Sequence, residues 1–573
     1  METRKTKKID FSYDRFGRMA DKYFNDGNYV SALRFAYKQY DGFGGDGDVY
    51  TRLADIYENM GLYSSALNFW YKFLDESSVE DLPDIYEGLA VNYLNMGNDS
   101  QSAYYYNQLI DVDDSLPDET KYEIAETFSV KKKDRFRFVY PPEKADYSKE
   151  LEIGSFALKN GDCERAINYL SKVAKGSKEY VRAQELQAVA YLLSERANKA
   201  EQICLDILRE YPENVQASST LCAAYLEQDE REKSLELAQK LVDGKQENAD
   251  DIYKVATVCC ENGLHQAAYQ KFRDLEKDMP YDGRMLYFRA VAAAKSGYLK
   301  EAAEDFERLC TIYPDAAVAK YYLERLKEWH KGDPIPEFTY FYRVPEEERV
   351  RRCELLTQIA KMTKEEAELF GEIAQSDGLF RWCFDEMDGA DHDLQYLALA
   401  IAVYTSANAF LRDVLLDCEV LDVLKIETLR MLLERNENAT FGLVLCNIYR
   451  KVRLLKVEIG RKKRKKFIEG YAKLASKFIA VNETYPKKLK IATEKLYRDL
   501  QASERLELIE SSDDVACAVY FLSGLKELGK DIEQISKAFE ANPEKVRALL
   551  SFGESVAQEN KQTTREEKDY ETY

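Results

Sequence analysis

The sequence has few of the residues that break helices and few of those that carry metal or nucleophilic chemistry. Only 12 prolines and 26 glycines occur in 573 residues, which argues against long irregular tracts. The three histidines, His265, His330 and His392, stand far apart and lack metal-ligand spacing. The 11 cysteines are an odd number with no paired spacing, so neither a disulfide framework nor a zinc site is expected. Metalloprotease, phosphate-loop, dinucleotide and nucleophile-elbow motifs are all missing. Adjacent Cys259 and Cys260 would point about 100° apart on a helix, so both read as structural. Gly42-Phe43-Gly44-Gly45-Asp46-Gly47 follows no strand and holds no lysine, and reads as an inter-helix loop. His392, between Asp391 and Asp393 at an expected helix start, reads as part of a cap rather than as a base.

Long apolar runs are missing too. A spanning helix needs roughly 18 uninterrupted apolar residues. The richest stretch, Leu394 to Val403, is well short of that. The opening METRKTKKIDFSYDRFGRMA has charges with no apolar stretch behind them, so neither a signal peptide nor a membrane anchor is expected. Unpaired cysteines inside helices fit a reducing compartment, and a cytoplasmic location is expected. No enzyme activity, cofactor, catalytic residue or metal site is expected.

What is present is repetition. Small residues recur every 34 positions at Gly154, Ala188, Cys222, Ala256 and Ala290. Twelve positions after each come Ala166, Ala200, Ser234, Ala268 and Ala302. Pro212, Pro280 and Pro314 close three of these segments. Upstream, Ala20, Tyr23, Gly27, Tyr29 and Ala32 are matched 34 residues on by Ala54, Tyr57, Gly61, Tyr63 and Ala66. A third copy, Ala90, Tyr93 and Gly97, follows after 36, and its second helix reads as carrying one extra residue near Ala103. Two antiparallel helices approach closely only where side chains are small, and a left-handed glycine ends the first helix of each pair. This pattern resembles the tetratricopeptide repeat, although the usual tryptophan early in the first helix is missing. The resemblance implies an α-solenoid that holds partners rather than one that does chemistry.

The expected fold is all-α: a repeat solenoid in two arrays, then an irregular helical domain with a short β-hairpin. Residues 10–110 form an acidic array of three repeats, and 111–147 a linker with an extended aromatic segment. Residues 148–331 form five repeats and a capping helix, and 332–345 a second linker. Residues 346–550 form a helical domain with a basic patch, resembling an irregular HEAT or armadillo solenoid, and 551–573 a disordered tail. The segments Arg135–Pro142 and Phe338–Pro345 are both aromatic and closed by proline. Each reads as a plug for the end of a solenoid or, alternatively, as a short strand. The hairpin is expected between Phe441 and Ile459, turning at Arg450-Lys451.

Charge is segregated. Asp41 to Thr120 holds 17 acidic and 2 basic residues, net −15, whereas Phe441 to Leu500 holds 17 basic and 5 acidic, net +12. In the repeat family the first helix of each pair lines a concave groove. In the first array the resemblance puts Asp14, Asp21, Asp48, Asp55, Glu58, Asp84 and Glu87 there, a negative lining suited to a basic segment. Co-chaperone members grip an acidic tail with a Lys, Asn and Arg clamp. Gly17, Asp21 and Asp55 stand at the equivalent positions here, so that function does not carry over. The second groove is mostly small or apolar, with Leu158, Val189, Leu192, Leu226, Tyr253 and Tyr287, and suits an amphipathic segment unless the chain itself fills it. The basic patch comprises Arg450, Lys451, Arg453 and the unbroken run Arg461, Lys462, Lys463, Arg464, Lys465, Lys466. It is expected to meet solvent, an anionic protein or RNA, or the acidic array. The resulting expectation is a non-enzymatic scaffold or adaptor for protein segments, without membrane contact. The alternatives are an RNA- or ribosome-associated adaptor and a peptide-sensing regulator.

Overall fold

The computed structural model describes residues 12–113, 115–128, 146–246, 248–330, 334–376, 378–385, 391–436, 438–479, 481–482 and 484–551. The aromatic segment Arg135–Pro142 and the tail beyond 551 lie outside the described residues. The first array is three helical pairs: α1 (Tyr13–Asn25) with α2 (Tyr29–Phe43), α3 (Gly47–Asn59) with α4 (Tyr63–Glu76), and α5 (Leu82–Asn95) with α6 (Asp99–Val112). A further helix, α7 (Asp118–Thr127), follows where a linker was expected. The second array is α8 (Ser148–Lys159), α9 (Cys163–Leu170), α10 (Tyr180–Leu193), α11 (Ala197–Glu210), α12 (Val215–Glu227), α13 (Arg231–Asp243), α14 (Ala249–Glu261), α15 (His265–Asp274), α16 (Gly283–Lys295) and α17 (Leu299–Ile312). Helix α18 (Ala317–Glu328) packs on its end.

The small residues sit where the paired helices touch. Ala188 and Ala200, Ala256 and Ala268, and Ala290 and Ala302 are all fully buried. At Gly154 a β-carbon would lie 2.6 Å from Leu170 Cγ, so even alanine is too large there. Where the crossing holds a serine, its hydroxyl bonds the partner helix: Ser234 to the Cys222 carbonyl at 3.0 Å, and Ser102 to the Ala90 carbonyl at 2.8 Å. The second bond corrects the reading of α6. Ser102, twelve after Ala90, takes the crossing, and no residue is inserted near Ala103.

The turn after each first helix holds one left-handed residue. Glycine supplies it at Gly27, Gly61, Gly97, Gly161, Gly263 and Gly297. In the two repeats without glycine, Glu195 (φ 60°) and Asp229 (φ 57°) are held in the same conformation. First helices are capped by polar side chains at the same period: Asn214 accepts from the Ala217 N–H, Asn248 from Asp251 and Asp282 from Met285, at 2.7 to 2.9 Å.

The chain divides into two compact units. One joins the first array (to Ser129) with 346–384 and 390–573; the other spans Val130–Pro345 with Asp385–Gly389. In the first unit, helices Glu346–Thr357, Lys364–Ser376, His392–Tyr404, Asn408–Leu416 and Asp422–Glu434 precede the hairpin. Helices Arg464–Phe478, Tyr485–Ala502, Ser512–Ser523 and Ile532–Ala538 follow it. Thr363 and Glu366 form a reciprocal capping box at the start of the second of these. Strand β1 (Ala439–Leu445) pairs antiparallel with β2 (Ile448–Leu454), Leu445 opposite Ile448. The turn is therefore Cys446-Asn447, both at positive φ, and not Arg450-Lys451. A two-residue turn with both residues left-handed matches the twist of the strands, and asparagine tolerates that conformation. The charged pair lies within β2, exposed along the strand.

The six-cation run straddles the start of a helix. Lys463 precedes the helix in a left-handed conformation, and only Arg464, Lys465 and Lys466 are helical.

Candidate interaction surfaces

In the first array the expected acidic positions fall on α1, α3 and α5. Asp14, Asp48, Asp55, Asp84 and Glu87 are exposed and, among the described residues, form no ion pair. Arg52 on α3 supplies a counter-charge, reaching Asp21 at 2.6 Å and the Gln39 side-chain oxygen at 3.0 Å. Glu58 accepts from the Asn92 amide at 2.8 Å. Asp55 is exposed, yet desolvation by its surroundings, aided by repulsion from Glu58 and opposed by Arg52, raises its carboxyl pKa to about 6.

The second array places Leu158, Val189, Leu192 and Leu226 on its first helices, each half-buried. Tyr253 packs edge-on against Phe272, with ring centres 5.9 Å apart. Tyr287 corrects the expectation of an open anchor. It is fully buried, because the segment Phe338–Tyr342 lies across it. Its hydroxyl donates to the carbonyls of Thr339 and Phe341, at 2.8 and 3.1 Å, and its ring meets Tyr342 at 4.7 Å. Tyr340 reaches His265 Nδ1 at 2.9 Å, and Phe338 stacks between Phe306 and Tyr322. This segment forms no strand; it plugs the last two repeats, leaving the earlier ones uncovered by it.

Part of the basic patch is spent inside the first unit. The hairpin turn sits against a set of tyrosines on α4, α5 and α6. The Asn447 carbonyl accepts from Tyr71 at 3.0 Å and from Tyr105 at 3.2 Å, and Tyr93 lies 2.6 Å from Tyr71, oxygen to oxygen. The Tyr449 N–H donates to the Tyr105 oxygen at 3.1 Å. Buried Asp75 on α4 pairs with Arg412 and accepts from the Tyr449 hydroxyl at 2.9 Å, and its carbonyl takes Lys451 Nζ at 3.1 Å. A β-carbon on Gly442 would lie 2.3 Å from the Asp75 carboxylate, so β1 reaches α4 only as glycine. In the cation run, Lys462 and Lys463 share Glu507 at 2.8 and 3.5 Å, and Lys465 approaches Glu469 at 3.7 Å. Arg461 and Arg464 are exposed and have no acidic partner among the described residues. Arg450 and Arg453 are likewise exposed.

All eleven cysteines are free thiols, and burial pushes Cys204 and Cys222 up to about 12, which makes them inert. His392 opens its helix, and it is Asp391 whose side chain caps it, accepting from the Leu394 N–H at 3.0 Å. Among the described residues no cluster of three or more histidines, cysteines or carboxylates could hold a metal ion. No helix among them is long and apolar enough to cross a membrane.

Paired antiparallel helices with small residues at each crossing define a helical-repeat solenoid. Residues 151–215 and 262–317 match the tetratricopeptide repeat model, and the chain carries tetratricopeptide repeats. A search of curated proteins finds no match. Among solved structures, yeast Tom70 is similar at 13% identity and TM-score 0.25, covering 96% of each chain. A tetratricopeptide repeat protein from Parabacteroides merdae is similar at 14% identity and TM-score 0.23, over 51% of this chain and 98% of that one. The TPR2AB domain of yeast Sti1, in its pHSP90 complex, shows 14% identity and TM-score 0.18, over 45% and 98%. The repeats support a role in protein interaction in general.

Proposed function

We propose that the chain is a non-enzymatic scaffold whose first array holds a basic segment of a partner protein. The observation carrying this reading is the set Asp14, Asp48, Asp55, Asp84 and Glu87, five exposed carboxylates on successive first helices with no ion pair among the described residues. Unneutralised charge along one concave wall attracts cations and speeds encounter with them. In the second array, Leu158, Val189, Leu192 and Leu226 form the apolar wall for an amphipathic segment, outside the repeats covered by Phe338–Tyr342. The adaptor work is proposed to take place in the cytoplasm.

The test is an affinity pull-down with the native chain beside Asp21→Lys/Asp55→Lys/Asp84→Lys. A partner retained by the native chain and lost by the variant at matched folding supports the reading. A partner bound equally by both sinks it. RNA in the eluate, released by salt and dependent on Arg461–Lys466, would replace it with the nucleic-acid reading.

A further inference from the structure

Strand β2 is the open side of a two-stranded sheet. Strand β1 is mostly buried and packs on the helix Asn408–Leu416, whereas β2 is exposed at Arg450, Lys451 and Arg453. Leu445 and Ile448 flank the two-residue turn as a hydrogen-bonded pair, so Ile448, Arg450, Val452 and Leu454 point their backbone groups at β1. Tyr449, Lys451 and Arg453 point theirs outward. The outward N–H of Tyr449 is taken by Tyr105. Those of Lys451 and Arg453 have no hydrogen-bond partner among the described residues.

Beside this edge lies a cleft of about 810 Å³. One wall is Arg450, Lys451, Val452 and Arg453; the other is Ile479, Val481, Asn482, Thr484, Pro486 and Lys487. Side chains alternate between the faces of a strand, so four consecutive residues line one cleft only if the strand presents its edge to it. Half of the far wall is apolar, and of Ile479, Val481 and Pro486 only Val481 is exposed. Four cations line the cleft, and its described lining holds no carboxylate. Glu483, between Asn482 and Thr484 in sequence, lies outside the described residues.

We infer that this cleft accepts an extended acidic peptide of a partner protein as a third strand on β2. The inference deepens the scaffold reading and rests on it. The free N–H and C=O groups of Lys451 and Arg453 supply the ladder, as in other cases of strand addition. The side chains of Arg450 and Arg453, both exposed and without an acidic partner among the described residues, meet carboxylates of the guest, whereas Lys451 Nζ is already held by the Asp75 carbonyl. Exposed Val481 on the far wall takes an apolar residue between. The length of β2 in the cleft suits a guest of roughly five residues. A nucleic acid would also meet the cations, but it has no use for the unpaired N–H and C=O groups of a strand edge.

The test is fluorescence anisotropy on the full chain with a labelled synthetic peptide alternating glutamate and valine over six residues. Comparators are the same peptide N-methylated at alternate amides, a block-ordered peptide of equal composition, and a six-nucleotide oligouridylate. The alternating peptide is expected to bind, with N-methylation and Arg450→Glu/Arg453→Glu each weakening it at least tenfold. Lys487→Glu, on the opposite wall and off the hairpin, is expected to weaken it at least threefold, which keeps the test valid if the double variant misfolds. Equal binding of the methylated or block peptide, undiminished binding by the charge-reversed chains, preference for the oligouridylate, or no peptide binding overturns the inference. So does a tenfold gain on neutralising Glu566, Glu567 and Asp569, which would give the cleft to the chain's own C-terminal segment. A first array that still holds a basic partner while the cleft ignores the acidic peptide sinks this inference alone.

Discussion

The phenol of Tyr71 donates to the carbonyl oxygen of Asn447 at 3.0 Å, joining positions 376 apart in the chain. Tyr105, 34 residues after Tyr71, bonds the same carbonyl. A hairpin turn therefore reads the repeat spacing of the first array. Phenylalanine at Tyr71 or Tyr105 should cost about 1 kcal/mol each, since the half-buried Asn447 carbonyl loses one of its two donors. Hydrogen exchange should quicken in β1 and β2 and stay unchanged in α8 to α17.

Asp75 is a second fastening of the same face. Asp75→Asn should destabilise the first unit by about 2 kcal/mol, below the cost of a fully buried pair because the Arg412 side chain is 44% exposed. Urea denaturation of the variant, and of Asp75→Asn with Arg412→Met, checks it; the double variant should recover part of the loss.

Glu195 and Asp229 occupy turns that glycine fills elsewhere. Glycine at either site should stabilise the second array by up to about 1 kcal/mol, more at Glu195, because aspartate tolerates the left-handed conformation better. The expected readout is a higher urea midpoint at unchanged slope.

Asp385 accepts the Val318 N–H at 2.8 Å and the Tyr342 hydroxyl at 3.0 Å, where desolvation, with Asp315 nearby, raises its pKa from 3.8 to about 7. The folded state thus binds this proton more tightly than the unfolded chain does. Its contribution is greatest at the acid end and falls as pH rises from about 4 to 7. Asp385→Asn should flatten that fall. Thermal melts across this range, native against variant, check the sign.

Asp55 titrates near 6 for a related reason, crowding together with Glu58. Binding of a basic peptide to the first array should weaken as pH drops below about 6. Glu58→Gln should move the midpoint downward, because one repelling charge is gone.

The helical crossings and turns were legible because they are set by size and by backbone conformation, which a single residue type reports. Ala188 with Ala200 and Gly263 with Gly297 are of this kind. Where another residue did the same work, the period remained but the identity changed: Ser102 at a crossing, and Glu195 and Asp229 at turns. The tyrosines at 37, 71 and 105 and the caps Asn214, Asn248 and Asp282 also recur at 34, but neither helix contact by size nor backbone conformation singles them out. The hairpin turn was misplaced because Cys446-Asn447 lacks glycine while Arg450-Lys451 looks solvent-bound. The burial of Tyr287 under Phe338–Tyr342 could not be read at all, since periodicity describes neighbours and not a segment returning from beyond the array.

The first compact unit is interrupted in sequence by the second, and this orders events during synthesis. The first array is complete by Ser129, but the hairpin that covers α4 ends at Leu454. At ribosomal speeds of about 5 to 20 residues per second, about 325 residues later means roughly 16 to 65 seconds of waiting. Throughout nearly all of that interval the Tyr71 and Tyr105 hydroxyls stand without the Asn447 carbonyl that they bond. The second unit, emerging in between, can fold within its own boundaries, so the nascent chain closes its outer segments last.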